Sequence, residues 1–146
     1  MTDRNTYATH RWATVAVMVV CLAVSAVALP QSQSAISPLI EAVRNQDPDA
    51  VRAVLREQVD VNAPQPDGAT ALHWAVHWEN LELADLLIGA GADVNVSNDL
   101  GVTALVMACT SGNGALVGRL LVAGADPNAT LASGETALMA AARAGS

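Results

Sequence analysis

The sequence predicts an all-α solenoid of 33-residue units, each a β-turn followed by a helix-turn-helix, preceded by an N-terminal apolar signal or anchor helix. Three observations carry this reading. Gly68, Gly101 and Gly134 are 33 apart, as are Thr70, Thr103 and Thr136, each Thr followed by Ala-Leu. Ala42, Ala75, Ala108 and Ala141 keep the same register, and Ser37-Pro38-Leu39 opens an earlier copy. Asp60-Val61-Asn62, Asp93-Val94-Asn95 and Asp126-Pro127-Asn128 also recur at this interval, with Gly91 and Gly124 ahead of the later two and Gln58 at the matching place in the first. A fixed period of this length marks supersecondary units that bury their apolar faces only against their neighbours.

The elements follow in chain order. Residues 12–29 carry no charge and are broken only by Thr14 and Ser25; Arg4, His10 and Arg11 precede them, and Ala26-Val27-Ala28 stands just before Pro30. A positive start, an apolar middle and small residues at the end make an export signal over residues 1–28, cleaved after Ala28. The alternative is a membrane anchor through residues 12–29, because the stretch just reaches the length that crosses a bilayer core. Cleavage removes Cys21 and leaves Cys109 as the one thiol, so no internal disulfide is expected.

A linker covers residues 29–36, and the first unit runs over 37–69. Asp47 before Pro48 is a helix start, an N-cap with Pro at the first helical position. The second unit covers 70–102. Thr70 is placed to cap a helix through its hydroxyl, and Leu72, Ala75 and Val76 form one apolar face. Leu83, Ala84, Leu87 and Ile88 repeat that spacing in a second helix, with equivalents Ala50, Val51, Val54 and Leu55 before and Leu116, Val117, Leu120 and Leu121 after. Gly91 and Gly124 suit helix C-termini. The third unit covers 103–135, and 136–146 is a partial fourth. The first unit is charged enough to be a capping unit, with Arg44, Asp47, Asp49, Arg52, Arg56 and Glu57. The fourth has no polar cap, and the expectation is a fragment whose natural chain continues.

In this register, residues 70–75 read TALHWA, residues 37–42 read SPLIEA, and GADVN at 91–95 and GADPN at 124–128 fill the turns between units. These segments resemble the ankyrin repeat, whose signature is T-P-L-H-x-A; the chain resembles an exported, bacterial-type member. Two departures stand out: Glu79 replaces the inter-helix Gly, and Gln58 the turn Gly. The resemblance implies helix pairs with hairpin tips and a concave groove that binds a protein partner. Carried onto this chain, the groove positions are Arg44, Asn45, His77, Trp78, Thr110 and Ser111 at the helix ends, and Asp67, Asp99 and Leu100 at the tips.

Composition narrows the functional classes. All seven cationic residues are Arg against fourteen Asp and Glu, for a net charge of -7, so a phosphate-neutralising surface is missing and nucleic acid is not an expected partner. With 52% hydrophobic residues, the chain is not intrinsically disordered either. Chemistry finds little support. His73 and His77 have i, i+4 metal-ligand spacing, yet Trp74 follows His73 where a zincin has Glu, and no third ligand is evident. Cys109 lacks a predicted base and reads as a small buried hydrophobe. Ser111-Gly112-Asn113-Gly114 lacks the Lys of a phosphate loop, and the alternating Asp93, Asn95, Asp126 and Asn128 lack the closing Glu of a calcium loop. Trp74 reads as core. Trp78, at a position usually exposed and polar, is either an interface anchor or a side chain lying flat over its neighbours.

The sequence reading is therefore a monomeric, non-enzymatic interaction module, exported to the periplasm or secreted, with a protein partner, no cofactor, no metal, and membrane contact only if the N-terminal segment is retained. The alternative is the recognition portion of a larger secreted protein or enzyme whose active domain lies beyond residue 146.

Overall fold

The structure is a computed structural model that describes residues 37–145. The signal or anchor reading falls on residues outside that range. Among the described residues there are seven helices, named here α1 (Pro38–Arg44), α2 (Pro48–Arg56), α3 (Ala71–His77), α4 (Leu81–Gly89), α5 (Ala104–Ser111), α6 (Gly114–Val122) and α7 (Ala137–Ala144). No strand occurs among them, only isolated antiparallel bridges at Ser97–Thr103 and Thr130–Thr136. None of these helices is long and apolar enough to cross a membrane.

Local signals set the helix starts. The Asp47 carboxylate accepts the backbone N–H groups of Asp49 and Ala50, both at 3.0 Å, while Pro48 has no N–H to satisfy. Asn80 and Asn113 open α4 and α6 in the same way, accepting from Leu83 and Leu116. Thr103 and Thr136 accept from Val106 and Met139, each at a long 3.4 Å. Thr70 takes the N-cap position of α3 in a capping box with His73, whose ring accepts the Thr70 N–H while its backbone N–H faces the Thr70 side chain; the hydroxyl also lies 3.0 Å from that ring. An imidazole at the third helical position supplies a nearer polar partner, one that Val106 and Met139 cannot offer in the later units.

The two departures from glycine do not change the backbone path. Gln46, Gln58 and Glu79 all adopt left-handed φ, at 54°, 56° and 52°, and Glu79 matches Gly112 at 72°. Each non-Gly residue costs about 1–2 kcal/mol in that conformation, so the surrounding helix pairs impose it.

Packing follows the register. α1 packs on α3, α3 on α5 and α5 on α7, while α1, α3 and α5 also pack on their own second helices α2, α4 and α6. Leu39, Leu72 and Leu105 are fully buried at one register position, and Ala42, Ala75 and Ala108 at another, where the small side chain lets neighbouring helices approach. Val51, Leu83, Ala84, Leu87, Leu116 and Leu120 carry the core through the second helices.

Not every expected core residue is buried. Leu121 is an exposed residue, and Ala50, Val54, Leu55, Ile88 and Val117 are half-buried. Leu138 is 77% exposed although its register equivalents Leu72 and Leu105 are 1% and 2% exposed, because no helix packs on that side of α7 among the described residues. Trp74 and Cys109, both read as core, are half-buried.

Asparagines tie the turns between units. Asn62 Oδ1 accepts the Asp93 N–H and Asn95 Oδ1 accepts the Asp126 N–H, both at 2.8 Å, while the Asn95 side-chain amide donates to the Gly124 carbonyl at 3.0 Å. The aspartates that precede them turn inward on the backbone, as Asp93 Oδ1 accepting the Asn95 N–H shows.

Register position alone therefore does not fix what a leucine contributes. Leu72→Ala or Leu105→Ala is expected to cost about 2–5 kcal/mol, and Leu138→Ala within about 0.5 kcal/mol, measured by urea denaturation.

Candidate protein-binding face

Three hairpins project ahead of α3, α5 and α7 and are built alike. Gln65 N–H donates to the Ala69 carbonyl, Asn98 N–H to Val102 and Leu131 N–H to Glu135, at 2.8, 3.0 and 2.8 Å. Each tip turns through a left-handed glycine, and Gly101 is the tightest: a Cβ there would stand 2.7 Å from the backbone nitrogen of Ala132 in the next hairpin. Adjacent tips are also joined directly, Asp99 N–H donating to the Asp67 carbonyl at 3.0 Å.

His73 locks one hairpin to the next. Its Nδ1 accepts the Thr70 N–H at 3.1 Å, and its Nε2 reaches the Val102 carbonyl at 3.0 Å. Those partners define a neutral ring whose proton sits on Nε2. Burial lowers the His73 pKa from its ordinary 6.5, against the opposing pull of the Val102 carbonyl and the Asp67 charge. Both ring nitrogens are engaged, so the i, i+4 pair with His77 does not present two free ligand atoms. No group of three or more potential metal ligands occurs among the described residues.

His77 is exposed and belongs to an aromatic row on the same side of the molecule as the tips. Its ring meets Trp74 edge-on at 5.7 Å and Trp78 at 5.1 Å. Trp74 donates its indole N–H to Gln65 Oε1 at 2.8 Å, and the Arg44 guanidinium lies over its ring at 5.0 Å. Two small clefts flank this row. One, of about 280 Å³, is lined by Val76, His77, Met107, Thr110 and Ser111. The other, of about 150 Å³, is lined by Ala69, His73, Trp74, His77, Asn98 and Met107.

The structure thus brings His77, Thr110 and Ser111 together, places Arg44 against Trp74, and sets Asp67 beside Asp99 at the tips. Trp78 is 44% exposed and touches His77 but lines neither cleft; Asn45 and Leu100 are exposed and also lie outside both. Trp74 and Met107 were not among the residues expected from the sequence. The signal was present, since they share one register position with Glu41, the polar residue of the capping unit.

Cys109 sits on α5, half-buried, and burial raises its pKa, which keeps the thiol protonated and weakly nucleophilic. The ion pairs bridging successive second helices lie away from the clefts: Arg52 with Glu82 at 2.6 Å and Arg119 with Asp85 at 3.3 Å.

A family model described as ankyrin repeats (3 copies) matches residues 18–98 and 79–146. No curated protein matches the chain.

The His73 geometry gives a pH prediction. The folded ring is neutral and its pKa lowered, so below pH 6.5 the unfolded chain binds a proton that the folded one resists. Stability is then complete above that value and falls as pH drops through it toward the lower folded pKa. Thermal melts of the native chain should show this loss, and the His73→Leu variant should show a flatter profile over the same range.

Proposed function

Because the chain belongs to the ankyrin repeat family, we propose that it is an exported protein–protein interaction module without catalysis of its own. Its partner lies on the concave face formed by the ends of α1, α3 and α5 and the hairpin tips. The observation that carries this reading is the run of Trp74, His77 and Met107 around two clefts, with His77 exposed and Trp74 and Met107 left half-buried. Apolar and aromatic side chains left half-open beside a polar rim are the usual composition of a binding surface.

The proposed roles divide by place. Trp78 and Leu100 supply protruding apolar contacts, and Arg44 and Asn45 border the aromatic row on the capping-unit side. His77, Thr110 and Ser111 wall the larger cleft, and Asp67 and Asp99 form the acidic rim. Export rests on the three-part segment over residues 1–28, with Arg4 and Arg11 ahead of the apolar stretch and Ala26-Val27-Ala28 at its end.

Two measurements test this. Trp78→Ala should reduce partner capture in a pull-down while leaving the melting temperature unchanged, with Arg119→Ala on the second helices as an unaffected control; full retention by the Trp78 variant would remove it as an anchor. Mass spectrometry of the mature protein should find an N-terminus near Leu29, and Met1 retained in a membrane fraction would establish the anchor instead.

A further inference from the structure

The partner's chemistry can be read further, on the premise that this face is the binding site. The two clefts, about 280 and 150 Å³, are smaller than the roughly 300–1,000 Å³ typical of drug-sized ligand sites. They suit single side chains. His77 and Met107 wall both, and a thioether adapts to whichever apolar group enters.

Polarity around the clefts runs one way. The Thr110 hydroxyl donates back to the Val106 and Met107 carbonyls and the Ser111 hydroxyl to Ala108, which turns their protons away from an incoming group. Asn98 Oδ1 is taken by the Leu100 and Val102 N–H groups. Beyond them stand two carboxylates. Asp67 is close enough to act on the His73 charge, and Asp99 Oδ1 would lie 3.1 Å from a Cβ at Gly68, so both flank the same tip.

No opposing cation stands at the centre. Residues 70–135 contain one Arg, Arg119, and it pairs with Asp85 on the second helices. Arg44 comes nearest, but its guanidinium is engaged over the Trp74 ring at the capping-unit wall of the smaller cleft, and Arg143 is paired with Glu135 at 3.2 Å. The middle of the face therefore offers an apolar socket beside negative charge. We propose that its occupant is an extended segment of a protein partner in which an apolar side chain stands next to a Lys or Arg. The apolar group enters between His77 and Met107, and the cation meets Asp67 and Asp99. An acidic segment would bring like charge to the tip.

The register supplies a fold-compatible variant, because Thr110 occupies the position that Arg44 and Arg143 fill in neighbouring units. A phage-displayed library of random dodecapeptides is selected on the immobilised protein, and enriched peptides are titrated by fluorescence anisotropy. Enriched peptides should carry Lys or Arg beside Leu, Ile, Met or Phe. Thr110→Arg should weaken them about tenfold, and Asp67→Asn with Asp99→Asn about fivefold at low salt and less at high salt. Acidic or uncharged peptides that still lose binding to Thr110→Arg would overturn the proposed occupant while leaving the face as the site. Peptides indifferent to Thr110→Arg, or no enrichment at all, would overturn both.

Discussion

Everything in this fold depends on the contact between successive first helices. Leu39, Leu72 and Leu105 fill the space between units, and Ala42, Ala75 and Ala108 let the helices come close enough to be filled. A larger side chain at the alanine positions would separate the helices, and a smaller one at the leucine positions would leave a cavity. Because each unit repeats this contact, the hairpins ahead of α3, α5 and α7 arrive at one spacing. Their tips can then hydrogen-bond, as Asp67 and Asp99 do, and Asn62 and Asn95 can each clamp the turn of the unit that follows.

The candidate binding face is what that stacking leaves over. The register position shared by Glu41, Trp74, Met107 and Ala140 varies from unit to unit: exposed at Glu41, half-buried against the core at Trp74 and Met107, and buried at Ala140. The neighbouring position, shared by Arg44, His77, Thr110 and Arg143, changes from charged to neutral toward the middle. Together they grade the face from charged edges to a soft centre. Rigidity is the second ingredient. Trp74 is held by Gln65 and Arg44, and a side chain already ordered in this way lowers the free energy that any association at the proposed face spends on ordering it.

His73 shows one residue serving two scales. Within its unit it satisfies an orphan N–H at the start of α3, and across units it holds the Val102 carbonyl. Val106 and Met139, at the same position in later units, can do neither, so the joint between the first and second hairpins differs from the next. The left-handed Gln58 and Glu79 make the complementary point: where the packed helices require a conformation, a residue that resists it is carried along, and the stack absorbs the strain.

The sequence by itself determined the unit length, the helix pairs, the cap at Asp47, and the helix-end and tip positions, because each is a local or strictly periodic signal. It also marked Asp67, Asp99 and His77 for the surface. Only the tertiary structure decided that Trp74 and Met107 line the clefts and that Trp78 lies outside them. It alone distinguished Leu138 from Leu72 and Leu105. The physical reason is the same in each case. Periodicity says which direction a side chain takes from its own helix, whereas burial and contact depend on what the neighbouring units place opposite it.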